Sequence, residues 1–227
     1  NKVIVTNSNL FYEFLNIIDR NKLELLTNGT LLSNCKKKYD VKKFKISYLG
    51  LLNKFRFPEV FFNVLKEIIV KNKDIEKDIE IFISGTIDSS IYNYLMNDSI
   101  LKTKINYVKN IEYEKTFYHF NSSSLLLLLL NKNSINTTPT KIFDYASSGT
   151  PVLTLGDKKD KNMEMLLKEL SLEKITSYSD KISIENIILK SYRNFKLKIK
   201  NKPSENIKKY DRNYLTKKLS KILDCYY

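Results

Sequence analysis

The segment "TTPTKIFDYASSGTPVLTLG", residues 137–156, carries the clearest signature of the fold, because it sets a helix directly before an apolar strand. Thr138 can cap this helix, with Pro139 at its first position. Lys141 then falls at about the third helical position, and Asp144 follows at i+3 on the same side. The Gly-x-Pro that comes next can end the helix before the strand.

The charges of this helix allow two interpretations. A helix amino terminus offers unpaired N–H groups, so the turn from Thr138 to Thr140 could hold a phosphate, with Lys141 adding a full positive charge. Asp144, one turn deeper, could then accept hydrogen bonds from a vicinal diol such as that of a ribose. Alternatively, Lys141 and Asp144 form only a local surface ion pair worth about 0.2–0.5 kcal/mol. The charges taken alone favour this second interpretation.

Apolar strands and single helices alternate along most of the chain. The segment 124–130 contains six consecutive leucines and is apolar on both faces, which is typical of a strand buried between two layers of helices. The predicted strands cover 44–50, 79–85, 104–108, 124–130, 151–155 and 174–178, and the predicted helices cover 58–71, 88–97, 112–121, 139–148, 161–170 and 181–193. This order predicts an α/β fold with a doubly wound parallel sheet.

The loops after the predicted strands carry the other candidate residues, because the ligand crevice of an open α/β sheet lies outside the carboxyl ends of its strands. Gly50 ends one strand, where glycine allows the backbone to approach a ligand closely. Lys54 and Arg56 follow it and could bind a diphosphate, or they could simply be solvated basic residues. Lys109 and Asn110 follow the third strand of this series, where the backbone could contact a nucleobase edge.

The composition narrows the possible classes of protein. The chain has 227 residues, of which 42% are hydrophobic, which is enough for a sizeable core. Its longest apolar run, the six leucines, is too short to span a bilayer. Cys35 and Cys225 are far apart and form no CxxC, which favours a reduced, cytoplasmic protein. The single His119 has no His or Cys nearby in sequence, so we expect no metal and no other cofactor.

The formal net charge of +14 raises the question of an anionic partner. The lysines are spread along the whole chain, which favours a general compositional bias over a dedicated basic patch. We therefore expect no nucleic acid, and we keep open a peripheral association with the inner face of an anionic membrane. GxGxxG, GxxxxGK[ST] and GxSxG do not occur, which argues against a dinucleotide site, a P-loop and a hydrolase elbow.

Several strand-end motifs, taken together, resemble one known family. They are "KISYLG" (45–50), "EIFISG" (80–85) and above all "PTKIFDYASSGTPVLT" (139–154). The last is similar to the signature Pro-x-Lys-x-x-Glu-Tyr-x-x-x-Gly-x-Pro-Val found in the carboxyl-terminal half of GT-B glycosyltransferases. The resemblance is strongest to the retaining group that builds capsular and envelope polysaccharides and includes the glycogen synthases.

The resemblance implies that the chain is the nucleotide-sugar donor-binding half of a glycosyltransferase. Such an enzyme transfers a sugar from a UDP- or GDP-sugar to an envelope glycan or a lipid-linked acceptor. Asp144 takes the place of the family's ribose-binding glutamate, and Lys141 matches a position that contacts the diphosphate in related enzymes. Lys54 and Arg56 occupy the loop that supplies cations to the phosphates.

The resemblance is weaker on the donor-sugar side of the site. Many family members carry a second glutamate that faces the donor sugar, and Asn136 stands at that position here. Gly50 belongs to the same part of the expected site. The resemblance implies no bound metal, and it identifies no catalytic residue in this chain.

The resemblance also divides the chain. Residues 1–38 are predicted to be the tail of an amino-terminal, acceptor-binding domain with its linker, and residues 39–200 are predicted to be the donor-binding domain. Residues 201–227 are predicted to form a helix that returns to the amino-terminal domain. The chain starts at an asparagine, so we expect it to be a fragment that lacks most of the acceptor domain and can bind nucleotide without turning it over.

Two alternatives remain open at this stage. The first is a nucleotide-sugar epimerase of the same fold, which would pair a carboxylate with a histidine near the anomeric carbon. The position of His119 within a predicted helix counts against it. The second is a basic, non-catalytic α/β module that binds nucleic acid or anionic surfaces, which would require the lysines to gather on one face.

Overall fold

The computed structural model describes residues 2–32, 41–132, 137–156, 160–199 and 202–224. Within these ranges the strands are β1 (Val3–Val5), β2 (Leu23–Leu25), β3 (Phe44–Leu49), β4 (Ile79–Ser84), β5 (Ile105–Val108), β6 (Leu125–Leu129) and β7 (Val152–Leu155). The α-helices are α1 (Ser8–Phe14), α2 (Glu59–Lys71), α3 (Lys73–Asp78), α4 (Ser89–Asn97), α5 (Tyr113–Asn121), α6 (Lys141–Ser148), α7 (Lys161–Glu169), α8 (Lys181–Lys196) and α9 (Arg212–Asp224).

The central sheet has five parallel strands in the order β5-β4-β3-β6-β7. The chain builds outward from β3 through β4 to β5, then returns to the other side of β3 to place β6 and β7. The order therefore reverses between β3 and β6, and in such sheets the ligand crevice forms where the order reverses. The predicted doubly wound α/β fold is confirmed.

The core has two layers because alternate side chains of each strand face opposite sides of the sheet. Leu125, Leu127 and Leu129 of β6 pack with the layer that contains α2, α4 and α8. Leu126 and Leu128 pack with the layer that contains α5, α6 and α7. All five residues of β6 are buried, so the leucine run is a central strand, as its composition predicts.

Two elements differ from the sequence prediction. Residues 174–178 form no strand, because only Thr176 pairs there, through a single bridge to Leu155. The short helix α3 was not predicted; it begins after Asn72, whose side chain accepts hydrogen bonds from the first turn.

The terminal strands do not belong to the central sheet. Strands β1 and β2 form a separate parallel pair. The predicted domain boundaries, after residues 38 and 200, fall in 33–40 and 200–201, outside the described residues, and they stay a prediction. No helix of the described ranges combines the length and the apolar character that crossing a membrane requires.

Candidate functional site

A cleft of about 340 Å³ opens at the carboxyl ends of the strands, where the strand order reverses. Four of the predicted site residues line it: Arg56, Thr138, Thr140 and Lys141. A larger cavity of about 860 Å³ lies at the amino ends of β6 and β7. Two of its charged residues, Lys190 and Glu173, already pair with each other at 2.9 Å. The smaller cleft is therefore the better candidate, because its position is the one at which this type of sheet binds ligands.

Lys141 is the most strongly perturbed cation of the cleft. Its Nζ donates a hydrogen bond to the carbonyl of Leu49, at the end of β3, and lies 4.9 Å from the centre of the Tyr48 ring. Burial lowers the pKa of Lys141 to about 8; the positive charge of Arg56 adds to the shift, and Asp144 opposes it. The ammonium group is thus held in a desolvated place with a neutral oxygen as its hydrogen-bond acceptor.

Arg56 brings a second cation to the same cleft. It lies in the loop between β3 and α2, where its backbone N–H donates to the carbonyl of Asn53 at 2.9 Å. Its buried Nε has no hydrogen-bond partner among the described residues. Neither Arg56 nor Lys141 forms an ion pair with a carboxylate in the described ranges. Two partly buried cations beside one opening favour an anionic ligand with more than one charged oxygen.

The amino terminus of α6 differs from its prediction. The helix begins at Lys141 with Thr140 at the N-cap, and no side chain caps it, so the capping role predicted for Thr138 is wrong. The reason is that the turn starts at Pro139, whose carbonyl accepts from the N–H of Ile142 at 3.1 Å. The N–H groups of Thr140 and Lys141 donate no hydrogen bond within the described part of the chain. These free donors lie where the helix dipole favours an anion.

Gly50 allows the end of β3 to approach α6 closely. A Cβ at this position would overlap the Nζ of Lys141, and the residue has φ +148°, which side chains disfavour. Gly85, at the end of β4, has φ +123°, and a Cβ there would overlap the carbonyl of Gly50. The two glycines therefore let two strand ends and the Lys141 side chain share one small volume.

Asp144 lies one turn deeper in α6 and is 8% exposed. It does not line the cleft, and its Oδ1 has no hydrogen-bond partner among the described residues. Burial raises the pKa of Asp144, while Thr30, Arg212 and Lys141 oppose that shift. The carboxylate is thus close to Thr30 and Arg212 as well as to Lys141 at the cleft.

The remaining predicted residues are not brought into the cleft lining. Lys54 is exposed and its Nζ lies 5.0 Å from the centre of the Phe55 ring. Lys109 and Asn110 are exposed in the loop after β5. Asn136 lies outside the described residues.

The lining residues that were not predicted include Tyr48, Asn131, Gly156 and Asp160. The Tyr48 hydroxyl donates to the carbonyl of Leu51 at 2.6 Å, and burial raises the pKa of Tyr48 to about 12, so the phenol stays neutral. Asn131 and Gly156 could have been found by applying the strand-end rule to β6 and β7.

Asp160 joins the cleft to the amino-terminal elements. Its Oδ1 accepts from the N–H groups of Asn162 and Met163 at 3.0 Å each, which caps α7. Its Oδ2 accepts from Asn9 Nδ2 at 3.1 Å. This carboxylate is therefore satisfied by neutral donors and forms no ion pair with Arg56 or Lys141.

His119 lies away from the cleft. Its ring stacks on Phe82 with centroids 3.8 Å apart, and its Nδ1 is 3.0 Å from Lys45 Nζ. Burial and the nearby charge of Lys45 lower the pKa of His119 to about 4. The histidine that an epimerase would require is therefore not part of this site.

The fold is shared with solved glycosyltransferase structures. The chain superposes on Anabaena Alr3699/HepE in complex with UDP with a TM-score of 0.71 and 11% identity, covering 99% of this chain and 64% of that one. For TarM the TM-score is 0.66 at 15% identity, with 96% and 43% covered. For WaaG, a glycosyltransferase involved in lipopolysaccharide biosynthesis, it is 0.64 at 11% identity, with 97% and 62% covered.

The chain thus spans roughly half of each of these proteins and has the fold of a GT-B carboxyl-terminal domain. The predicted resemblance is confirmed at the level of the fold. No protein-family model and no curated protein sequence matches the chain.

Proposed function

We propose that the chain is the donor-binding half of a glycosyltransferase that transfers a sugar from a UDP- or GDP-sugar to an envelope glycan or lipid-linked acceptor. The observation that carries this proposal is the pair of cations Arg56 and Lys141, which lie at the point where the strand order reverses and form no ion pair with a carboxylate in the described ranges. The similar fold of HepE, which was solved with UDP, and of WaaG, which acts in lipopolysaccharide biosynthesis, supports it.

In this proposal the diphosphate lies at the amino terminus of α6. The N–H groups of Thr140 and Lys141 donate to phosphate oxygens, and the Nζ of Lys141 exchanges the Leu49 carbonyl for a phosphate oxygen. The Arg56 guanidinium can engage two oxygens at once. The ribose lies against Asp144, and the base lies near the loop of Lys109 and Asn110.

The chemical step breaks the bond between the anomeric carbon and the terminal phosphate oxygen, and the electron pair stays on that oxygen. The acceptor oxygen forms the new glycosidic bond, and its proton passes to the departing diphosphate oxygen. The cations act most strongly on the departing diphosphate, because its negative charge grows as the bond breaks. Since these cations are positioned before the reaction, they stabilise the leaving group without a bound metal, and the proposal includes none.

In this proposal an amino-terminal domain binds the acceptor. The cytoplasmic location, and a peripheral contact of the basic surface with an anionic membrane, belong to the same proposal. They rest on the sequence alone: the two cysteines, which form no CxxC, and the net charge of +14.

Isothermal titration calorimetry with UDP, GDP, ADP and CMP tests the binding function directly. We expect UDP or GDP to bind saturably, and Lys141→Met to weaken that binding by about 30-fold or more, because a buried charged hydrogen bond is lost. Lys73→Met is the matched control, since that side chain is 86% exposed on α3.

A flat response of the unmodified chain to all four nucleotides would refute donor binding. Equal losses in Lys141→Met and Lys73→Met, together with a steep dependence on salt, would instead identify general polyanion binding.

A further inference from the structure

The side of the central sheet at which the strands begin lies opposite the candidate cleft and gathers lysines from two distant parts of the chain. Lys42, just before β3, and Lys196 and Lys198, at the end of α8, line one cavity of about 430 Å³ there. Lys202 lines the neighbouring cavity of about 860 Å³, and Asn194 belongs to the lining of both. We call the four lysines at positions 42, 196, 198 and 202 the lysine surface.

Most of the lysine surface has no carboxylate partner. Asp78 is the carboxylate in the lining of the smaller cavity, and it accepts hydrogen bonds from the Tyr192 hydroxyl at 3.0 Å and from Lys196 Nζ at 3.2 Å. The other three lysines of the surface form no ion pair in the described ranges. The sequence adds to the imbalance, because residues 186–204 contain six basic residues and no acidic one. The surface therefore has a net positive charge and attracts an anionic partner.

Two apolar side chains stand out from the same surface. Leu197 is 64% exposed and Ile199 is 52% exposed. The end of α8 fixes their position, because the N–H of Lys198 donates to the Phe195 carbonyl at 3.1 Å and the N–H of Ile199 donates to the Asn194 carbonyl at 2.9 Å. This is the Schellman arrangement, in which an apolar residue after the turn commonly packs back on its helix. Ile199 instead stays half exposed beside the lysines.

Lys198 occupies the position at which such a helix end usually has glycine. Its φ of +54° places it in the left-handed region, where a side chain costs backbone free energy that glycine would avoid. The chain thus keeps a cationic side chain where the local backbone disfavours any side chain. A residue held in such a conformation points to a functional reason for keeping it.

We propose that the lysine surface, together with Leu197 and Ile199, docks the chain on a bilayer that contains anionic phospholipids; this rests on the membrane contact included in the proposed function and assigns it to one surface. The lysines attract the phosphate headgroups, and the two apolar side chains enter the boundary between headgroups and acyl chains. A nucleic acid would attract the lysines equally well, but it would leave the leucine and the isoleucine in water. The combination of charge and exposed apolar side chains therefore favours the bilayer.

Docking at the lysine surface turns the candidate cleft away from the bilayer. The strands of the central sheet run from this side to the cleft, and β3, with six residues, is about 20 Å long. Nucleotide can therefore enter the cleft whether or not the chain is docked. We expect the vesicle-bound chain to keep its affinity for UDP or GDP.

Co-sedimentation of the full chain with lipid vesicles tests the docking. Vesicles of phosphatidylcholine with phosphatidylglycerol should bind the chain, and vesicles of phosphatidylcholine alone should not. Leu197→Gln should weaken binding by about tenfold, because an apolar side chain no longer enters the bilayer. Lys198→Asn should weaken it by about fivefold, because one charge is lost while asparagine still accepts the left-handed backbone.

The other end of α8 supplies matched controls. Ile182 is 74% exposed, and Lys181 is exposed beside it. Ile182→Gln and Lys181→Asn should leave vesicle binding unchanged. Because all four substituted side chains are exposed, each variant should fold like the unmodified chain, which circular dichroism checks.

Binding to both kinds of vesicle alike, binding to neither, or equal losses in Leu197→Gln and Ile182→Gln would overturn the inference. A further probe is a single-stranded oligonucleotide, whose binding Leu197→Gln should not change. If Lys198→Asn weakened the binding of vesicles and oligonucleotide equally while Leu197→Gln changed neither, the surface would be a general polyanion site and not a bilayer dock.

Calorimetry with UDP or GDP keeps this result separate from donor binding. Nucleotide binding by a chain that ignores anionic vesicles would overturn the docking surface and leave donor binding in place. Vesicle binding by a chain that binds no nucleotide would do the reverse.

Discussion

We call the side of the central sheet at which the strands begin its amino edge, and the side at which they end its carboxyl edge. Each of the two buries a lysine, and the surroundings of the two lysines differ. Lys45, near the amino end of β3, lies 3.0 Å from His119 Nδ1, 3.4 Å from Ser122 Oγ and 4.8 Å from the centre of the Phe82 ring. Burial lowers the pKa of Lys45, and the carboxylate of Glu80 opposes the shift. This lysine is therefore surrounded by groups that compensate its charge.

At the carboxyl edge, Lys141 has the opposite environment. Its Nζ contacts the Leu49 carbonyl, and its strongest charged neighbour is another cation, Arg56. The comparison teaches that burial of a lysine is not what marks a binding site. A buried cation next to a second cation, with no ion pair to a carboxylate in the described ranges, is the better mark, because an anionic ligand can offset both charges.

The largest effect should come from the glycines that build the carboxyl edge. Gly85→Ala places a Cβ against the Gly50 backbone at φ +123°, so the backbone must shift. We expect the free energy of unfolding to fall by about 3 kcal/mol. Gly156→Ala is the control at the same edge, since its Cβ would meet the side chain of Leu130 at 2.9 Å and that side chain can move. Equal losses in urea unfolding would contradict the tight construction of this edge.

The next largest effect should be the difference in stability between variants of the two buried lysines. Lys45→Met should destabilise the fold, because His119, Ser122 and the ring of Phe82 lose their charged partner. Lys141→Met should leave stability unchanged or raise it, because it removes an uncompensated buried charge. We expect the free energies of unfolding of the two variants to differ by about 2 kcal/mol. A nucleotide affinity that falls in Lys45→Met and persists in Lys141→Met would reverse the assignment of the two edges.

A smaller effect should appear in the pH dependence of nucleotide binding. With a pKa of about 8, Lys141 is protonated below that pH and loses its charge above it. Affinity for UDP or GDP should therefore fall by about tenfold between about pH 7 and about pH 9.5, and Lys141→Met should abolish this dependence.

The lowered pKa of Lys141 also affects the free energy of unfolding, which should rise with pH while the nucleotide affinity falls. Because the unfolded chain keeps the proton on Lys141 up to its ordinary pKa of 10.5, unfolding without nucleotide should become harder as the pH rises from about 8 to 10.5. Calorimetric affinities and urea midpoints at several pH values check both trends. A pH-independent affinity in the unmodified chain would show that Lys141 does not bind the ligand.

The smallest effect belongs to the amino edge. The folded pKa of His119 is about 4, below its ordinary 6.5, so the unfolded chain binds the proton more readily. Stability should fall as the pH drops from 6.5 towards 4, by on the order of 1 kcal/mol after screening by solvent. His119→Gln should remove this part of the acid sensitivity. As the only histidine of the chain, His119 can be titrated without overlap by NMR, and a pKa near 6.5 would contradict its buried stacking.

Much of the fold could be predicted from local patterns. The leucine run, the strand-ending glycines and the single helices between strands predict a doubly wound sheet, and that sheet is present. The strand predicted for 174–178 is wrong because a strand needs a neighbour to pair with along its length, and the composition does not supply one. Only Thr176 pairs, through an isolated bridge to Leu155. Helix α3 was missed because it has only one buried residue, Ile75, which is too few to give a period.

The candidate site was predictable in part. Arg56 was found because it follows the end of β3, where the strand-end rule applies. Lys141 was found because it falls in the first turn of a predicted helix, whose amino terminus can hold a phosphate. The different placement of Lys54, two residues before Arg56, could not be predicted, because a loop has no periodicity to assign its side chains to one side. The proximity of Asp144 to Thr30 and Arg212 was missed for another reason. Thr30 lies far before Asp144 in the sequence and Arg212 lies far after it, so no local pattern relates the three residues.

The residue order of this protein thus determines the alternation of strands and helices, the reversal of the strand order and the pair of cations beside it, because these depend on short-range periodicity and on where strands end. Three-dimensional packing decides which side chains are desolvated and which are compensated. The pKa of Lys141 is lowered, and Asp144 is buried, only because the segments around Thr30 and Arg212 and the neighbouring strand ends pack around α6 and exclude water.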